Sequence, residues 1–208
     1  MVEEQIRLSI EVILKNGFDE VKYIAGVDSA FLNDKIISAA ILMDYDSMKV
    51  VGKEYHIGEI DFPYIPGLLF YREGKNTLKA IDKLKIDPDI IIFDGGGINH
   101  PRGIGLASHI GVLLKKPTIG VVKNMFSGSC KIPEEVGEKE PIILDGKKIG
   151  YAYKSKKVAK PIYITPGNLI SVDSAFFVVK HFIRGYKLPE PVREAHIFAG
   201  EMKNRFLV

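Results

Sequence analysis

Two aspartates stand directly after short apolar runs, and their type and spacing suit metal chemistry. Asp28 follows the run 23–27, and Asp94 follows the run 90–93. If the two runs are neighbouring strands, both carboxylates emerge at one edge of a sheet as oxygen ligands of the kind that Mg²⁺ prefers. A cation there can activate water and neutralise charge on a phosphate. Each aspartate taken alone is more typical of a turn after a strand.

A glycine-rich loop follows Asp94. The three glycines at 95–97 cost backbone entropy, so they permit an unusual turn or let a ligand approach the main chain closely. The G-x-G-x-x-G sequence of dinucleotide-binding loops is not met, because His100 occupies the third glycine position and Pro101 follows it. A dinucleotide-dependent enzyme is therefore only a weak alternative.

A second unusual loop lies at 62–67, where Tyr64 stands between Pro63 and the pair Ile65-Pro66. Proline restricts the backbone on both sides of the tyrosine. A stiff loop that carries an aromatic ring suits a wedge that enters a stack of bases. A buried tyrosine in a proline-rich turn is an equally good interpretation of these residues.

The elements that must position these residues follow from periodicity and turn residues. An amphipathic helix is predicted from the N-terminus to Asn16-Gly17. Antiparallel strands at 23–27, 36–43 and 48–57 form a meander, and a helix at 68–84 follows. A strand, a helix and a strand at 90–93, 105–114 and 118–122 imply a parallel crossover. A hairpin (142–144 and 149–153), a strand (162–165) and helices at 172–182 and 192–206 complete an α/β chain with the ground plan of ribonuclease H-like nucleases: a mixed sheet, antiparallel meander plus parallel strand–helix units, flanked by helices.

Length, charge and cysteine content limit the classes of protein to which the chain can belong. The 208 residues predict one domain, 1–208, and a net charge of +3 with a pI near 8.7 tolerates a polyanionic partner without demonstrating one. Cys130 is the single cysteine, so neither an intramolecular disulfide nor a cysteine-based zinc site can form. Acidic residues near Met1 and the lack of a long apolar run argue against a signal peptide and a membrane span. A cytoplasmic protein is the expectation.

Several motifs, taken in order along the chain, resemble those of the endonuclease V family. The resemblance rests on Val27-Asp28, the loop and helix start 62–69, Arg72-Glu73-Gly74, the segment 93–97, His100-Pro101-Arg102, and the segments 105–109, 117–123 and 188–196. The match covers nearly the whole chain in the right order. Together the motifs are far more specific than any one of them.

The resemblance implies a catalytic set. Asp28, Glu73 and Asp94 match carboxylates that bind Mg²⁺, or Mn²⁺ in its place, in a ribonuclease H-like site. His196 matches a histidine near the metal, and Lys123 matches a lysine beside the scissile phosphate. Without the resemblance, each of Glu73, Lys123 and His196 would be interpreted as an ordinary exposed side chain.

The resemblance also implies how a damaged base is recognised. It makes the loop with Tyr64 and Pro66 a wedge, and it places a lesion pocket at Gly67, Leu69, Gly95, Gly97 and His100. Deamination of adenine replaces an amino donor by a carbonyl acceptor, and main-chain groups at glycines can contact such a base after it is flipped out. We interpret His109, in helical register with Leu113, as structural.

The activity implied is repair of DNA that contains deaminated purines. The enzyme would hydrolyse the second phosphodiester bond 3′ of a deoxyinosine and leave 3′-hydroxyl and 5′-phosphate ends, acting as a monomer without a membrane partner. An endoribonuclease for inosine-containing RNA, and a protein that binds deaminated bases without cutting, are the alternatives. Gly96, Lys75 and Asn168 depart from the family pattern, and none of them is a predicted metal ligand.

Overall fold

Eight strands form one mixed sheet in the computed structural model, which describes residues 1–206. The strands are β1 (Tyr23–Leu32), β2 (Lys35–Asp44), β3 (Val50–Glu59), β4 (Ile90–Asp94), β5 (Thr118–Val122), β6 (Lys139–Leu144), β7 (Lys147–Tyr153) and β8 (Ile162–Asn168). The helices are α1 (Val2–Ser9), α2 (Leu69–Asp82), α3 (Leu106–Leu114), α4 (Val172–His181) and α5 (Glu190–Arg205).

The strand order is β3-β2-β1-β4-β5-β8-β7-β6. The first three strands are an antiparallel meander, β1, β4 and β5 are parallel, and β8, β7 and β6 continue antiparallel. The predicted α/β fold, a ribonuclease H-like mixed sheet flanked by helices, is confirmed. The apolar run of β4 lies in the middle of the sheet, as expected for a strand that is buried on both faces.

Alternate residues of the central strands feed two cores. Ile90 and Ile92 pack with α4 and α5 on one face, in a cluster that includes Phe176 and Val192. Ile91 and Phe93 pack on the other face against α2 and α3. Because successive side chains of a strand point to opposite faces, this one apolar strand anchors both helical layers.

Several boundaries differ from the sequence prediction, and two of the differences concern the site. The first helix ends at Ser9 instead of reaching Asn16, because the next segment has other partners: Ile13 N–H donates to Asn168 Oδ1 at 2.9 Å. Asp28 lies inside β1 instead of at its end, since β1 continues to pair with β2 as far as Leu32.

Close packing of α5 on β1 depends on Gly26. A side chain at this position would collide with the main chain of Pro191, in the first turn of α5. The glycine therefore lets α5 lie directly on the strand that carries Asp28. Within residues 1–206, no helix is both long enough and apolar enough to cross a membrane.

Candidate active site

Strand register brings Asp28 and Asp94 together. The parallel pairing of β1 with β4 runs from Ile24↔Ile90 to Val27↔Phe93, and the two aspartates are the next residues of each strand. They affect each other electrostatically: burial raises the pKa of Asp28, and the neighbouring charge of Asp94 raises it further. The condition set by the sequence analysis, that the two strands are neighbours, is thus met.

A basic side chain contacts each of these aspartates. His196, carried by α5, places Nδ1 2.6 Å from Asp28 Oδ2. Lys123, just beyond β5, donates from Nζ to Asp94 Oδ2 at 2.6 Å. The four residues come from β1, β4, α5 and the end of β5, so the sheet and one helix assemble the group.

Glu73 joins the group from α2. The residue is partly exposed, but its carboxyl group lies deep enough that burial raises its pKa, and the charges of Asp28 and Asp94 add to the shift. The resulting pKa is about 8. An exposed glutamate would not respond in this way, so the interpretation of Glu73 as an ordinary exposed side chain does not fit.

The chemistry of this group suits a hard divalent cation. Three carboxyls lie close together, and burial, reinforced by their mutual repulsion, raises the pKa values of Asp28 and Glu73. In the described chain, residues 1–206, no three His, Cys, Asp or Glu side chains already converge as a set of metal ligands. Asp28 and Asp94 instead contact His196 and Lys123, so binding of a cation requires these contacts to be rearranged.

A pocket of about 320 Å³ adjoins the acidic group. Its wall contains six of the predicted substrate-binding residues: Tyr64, Pro66, Gly67, Leu69, Gly95 and His100. Tyr64 is 68% exposed. Asp94 belongs to this wall as well. The exposure of Tyr64 fits a wedge and contradicts the interpretation of a buried tyrosine.

The tyrosine loop is held at both ends. Arg72 Nη1 donates to the carbonyl of Phe62 at 2.7 Å. The carbonyl of Gly67 lies within hydrogen-bond distance of Gln5 Nε2 (3.0 Å), Arg102 Nη2 (2.7 Å) and His100 Nε2 (3.1 Å). Because the Arg102 main-chain N–H donates to His100 Nδ1, the other nitrogen of the ring is the one that carries the proton and donates to Gly67.

Gly97 differs from the other predicted pocket residues, since it is absent from the pocket wall. A side chain at Gly97 would collide with the carbonyl of Pro166 on β8. Its main-chain N–H donates to Thr165 Oγ1 at 3.1 Å. The glycine therefore fits the loop against β8, and the pocket is formed by its neighbours.

The remaining singled-out residues have structural places. His109 is fully buried and stacks on Phe70 at 3.5 Å between ring centroids, in keeping with a structural role. Asn168 is buried and ties Ile13 to Gly111 through its side-chain amide. Lys75 is an exposed residue of α2.

Sequence reasoning missed part of the pocket wall. Gln5, Asn99 and the segment Asn124-Met125-Phe126 all line it. The last segment directly follows Lys123, so an exposed aromatic residue next to a predicted catalytic lysine was an available signal. No local signal marks Gln5, which reaches the pocket from a helix 62 residues before Gly67.

Known proteins resemble this chain over most of their length. A sequence model described as Endonuclease V matches residues 6–197. Endonuclease V of Dictyoglomus turgidum is 40% identical over 204 residues, which are 98% of this chain and 90% of that protein. The crystal structure of endonuclease V from Streptomyces avermitilis has a TM-score of 0.91 at 32% identity and covers 100% of this chain and 93% of its own. Ciona intestinalis endonuclease V, in complex with a 23mer DNA containing an inosine followed by a ribo-adenosine, has a TM-score of 0.87 at 25% identity, with 99% and 96% covered.

The mixed sheet and its solved relatives define a nuclease with a ribonuclease H-like fold. The sequence matches narrow this class: the chain belongs to the endonuclease V family. It is accordingly an endonuclease, a hydrolase of the phosphodiester bond, in a family of metal-dependent enzymes.

Proposed function

We propose that this endonuclease recognises deoxyinosine and other deaminated purines in DNA and cuts the second phosphodiester bond 3′ of the lesion, leaving 3′-hydroxyl and 5′-phosphate ends. The observation that carries the proposal is the double position of Asp94, which belongs both to the acidic group and to the pocket wall. A base held in that pocket has its own strand next to the acids. The DNA complex of the Ciona relative supports inosine as the lesion.

In this proposal the carboxylates of Asp28, Glu73 and Asp94 bind Mg²⁺, with Mn²⁺ able to replace it. Carboxylate oxygens are the ligands that both ions accept. When bound, the cation supplies activation of water and neutralisation of charge on the phosphate. Calorimetry tests whether these carboxylates bind the metal. We expect Mn²⁺ binding to be lost in Asp28→Asn and in Glu73→Gln.

Lys123 and His196 are the two basic side chains that contact the acidic group. The Lys123 ammonium group, 2.6 Å from Asp94, lies where a phosphate that approaches the acids gains a positive neighbour. His196 holds Asp28 in one orientation through its Nδ1 contact and remains largely exposed. We infer that Lys123 stabilises charge on the reacting phosphate and that His196 orients the carboxylate and the water near it.

The test is strand cleavage of a labelled duplex that contains one deoxyinosine, with Mg²⁺ present. We expect Asp94→Ala to lower the rate by at least about a hundredfold, as expected for loss of a group that acts on the transition state. Asp19→Ala, which changes an exposed aspartate elsewhere, is the matched control and should cut like the wild type. Equal cutting by the wild type and Asp94→Ala would overturn the assignment.

RNA is the second candidate substrate, because the DNA bound by the Ciona relative carries a ribose directly after the inosine. The 2′-hydroxyl is the group that lets a protein distinguish RNA from DNA. Replacing the deoxyribose on the 3′ side of the lesion by ribose, in otherwise identical strands, separates the two. A large gain in rate with ribose would make this chain an endoribonuclease for inosine-containing RNA.

We also infer that residues 1–208 act as one catalytic domain and as a monomer in the cytoplasm. The single sheet links both halves of the described chain, and a lone cysteine is typical of a reducing compartment. Light scattering of the active enzyme, with and without an inosine duplex, tests the oligomeric state. A dimer that persists at working concentrations would contradict this inference.

A further inference from the structure

Asn99 lies in the wall of the pocket, and one polar atom of its side chain lacks a hydrogen-bond partner in the described part of the chain. The residue is only 1% exposed. Its Nδ2 has no hydrogen-bond partner among residues 1–206. Leaving a buried donor without an acceptor costs about 1–3 kcal/mol, so such a group in a binding pocket invites a ligand that supplies the acceptor.

A chain of hydrogen bonds fixes which end of the amide is free. The Gly97 main-chain N–H donates to Thr165 Oγ1, and the Thr165 hydroxyl donates to Asn99 Oδ1 at 2.9 Å. Turning the amide over would place Nδ2 against a hydroxyl that already accepts from Gly97, and the hydroxyl proton would lose its acceptor. The donor end of Asn99 is therefore the end left for a ligand.

Gly96 leaves space beside this amide. A Cβ at Gly96 would lie 3.0 Å from Asn99 Oδ1, which is tight for any residue with a side chain. Asn99 Nδ2 is closed to solvent in this structure, so a base reaches it only when the amide or the adjacent glycine loop shifts. Because Gly96 carries no side chain, the amide has room to move on the side of its Oδ1.

We propose that Asn99 is a specificity-determining residue whose Nδ2 donates a hydrogen bond to the carbonyl oxygen created by deamination of the base. This inference rests on the proposed function of the pocket. A carbonyl acceptor matches the donor, whereas the amino group of undamaged adenine places a second donor against it. The discrimination acts through a side chain, in addition to any contacts with main-chain groups of the glycine loop.

The experiment compares two lesions in the same duplex. One is deoxyinosine, and the other is purine deoxyriboside, which has a hydrogen in place of the carbonyl at C6. We expect Asn99→Ala to lower kcat/KM about five- to tenfold on deoxyinosine, the range for loss of one neutral hydrogen bond, and to leave the lower rate on purine deoxyriboside nearly unchanged. Asn124→Ala removes an exposed amide from the same pocket, and its effect should be equal on both bases.

Two further variants protect the test against a folding defect. Asn99→Asp keeps the size of the side chain and Oδ1 but removes Nδ2. Gly96→Ala keeps Asn99 but places a methyl group against it. In both variants kcat/KM should fall on deoxyinosine and change little on purine deoxyriboside. Equal losses on the two bases, or no loss on deoxyinosine, overturn the role of Asn99. A wild type that cuts deoxyinosine no faster than deoxyadenosine overturns the proposed function instead, so the two failures are distinguishable.

Discussion

At the scale of single residues, the site is defined by carboxyls that are costly to charge together. Glu73 illustrates this best, because burial and the charges of Asp28 and Asp94 raise its pKa from 4.5 to about 8. Lys123 and His196 offset part of the negative charge on the other two acids. Without a divalent cation the folded protein therefore favours a protonated Glu73 near neutral pH.

This protonation predicts how stability depends on pH. The folded state binds the Glu73 proton more tightly than the unfolded state, so the stabilisation is complete below pH 4.5 and is lost as the pH rises through about 8. His100 and His109 act in the opposite direction near pH 6.5, because burial lowers both pKa values to about 4 and each ring is partly protonated there only in the unfolded state. In chelator, the stability of the wild type relative to Glu73→Gln, which shares both histidines, should therefore fall between pH 6.5 and about 8 with a slope of up to about 1.4 kcal/mol per pH unit, the limit for one proton.

The measurement is denaturant unfolding at several pH values for the wild type and Glu73→Gln. The variant has no Glu73 proton to lose and keeps both buried histidines, so the difference between the two curves isolates the contribution of Glu73. Mg²⁺ should restore the stability of the wild type at the upper end of the range and have a smaller effect on the variant. Parallel curves for both proteins in chelator would show that Glu73 is already ionised in the fold.

At the scale of elements, the tyrosine loop depends on parts of the chain that are far apart in sequence. Its Gly67 carbonyl is held from α1 by Gln5 and from the segment after the glycine loop by Arg102 and His100. Arg102 also donates to Gln5 Oε1 at 2.7 Å, so the two side chains brace each other. The short first helix thus acts as a support for the proposed wedge.

Loss of this support should affect duplex substrates most. Gln5→Ala removes one donor to Gly67 and the acceptor of Arg102, and we expect KM for an inosine duplex to rise about threefold or more. The same lesion in a single strand has no stack to open, so its KM should change little, as it should for Tyr64→Ala. Glu3→Ala, an exposed change in the same helix, is the control. Equal losses on single strand and duplex would mean that Gln5 contacts the base itself.

The elements also show how far the sequence alone leads. Apolar runs followed by aspartates predict two strands and two candidate ligands, whereas the adjacency of the strands was a condition of that prediction. The parallel pairing of β1 with β4 meets the condition, and it depends on contacts across more than 60 residues that no local pattern contains. The predicted end of α1 was wrong, because Ile13 N–H donates to Asn168 Oδ1 instead of continuing the helix. The two residues are 155 positions apart, so no local pattern predicts this contact. Asn99 and Gln5 were missed for the same reason: their partners Thr165 and Gly67 are distant in sequence.

At the scale of the whole molecule, positive charge is concentrated although the net charge is only +3. Burial lowers the pKa of Lys187, and the charges of Lys123 and Lys160 lower it further, so three lysines share the region around Asp94. Such a local patch, more than the total charge, attracts a polyanionic strand. The patch includes Lys123, the residue that we propose contacts the scissile phosphate.

This patch predicts the salt dependence of DNA binding. Lys160→Ala removes one exposed charge, and we expect weaker binding to inosine duplexes together with a slope of log K against log salt that is smaller by about one. Lys85→Ala, an exposed lysine outside the patch, should leave the slope unchanged. Fluorescence anisotropy over a series of salt concentrations provides both values. An unchanged slope for Lys160→Ala would place the bound strand elsewhere.

The distance between the lesion and the cut depends on how the pocket is connected to the acidic group. Asp94 and Gly95 are consecutive residues, and Gly95 N–H donates to the carbonyl of Val121 on the neighbouring strand at 3.1 Å, so this part of the pocket wall is held in place relative to Asp94. We therefore expect deoxyinosine and deoxyxanthosine to be cut at the same bond, with only the rates differing. Mapping end-labelled products at single-nucleotide resolution tests this, and Tyr64→Ala should slow cutting without moving it. A cut that shifts with the identity of the base would mean that the pocket does not set the position of the strand.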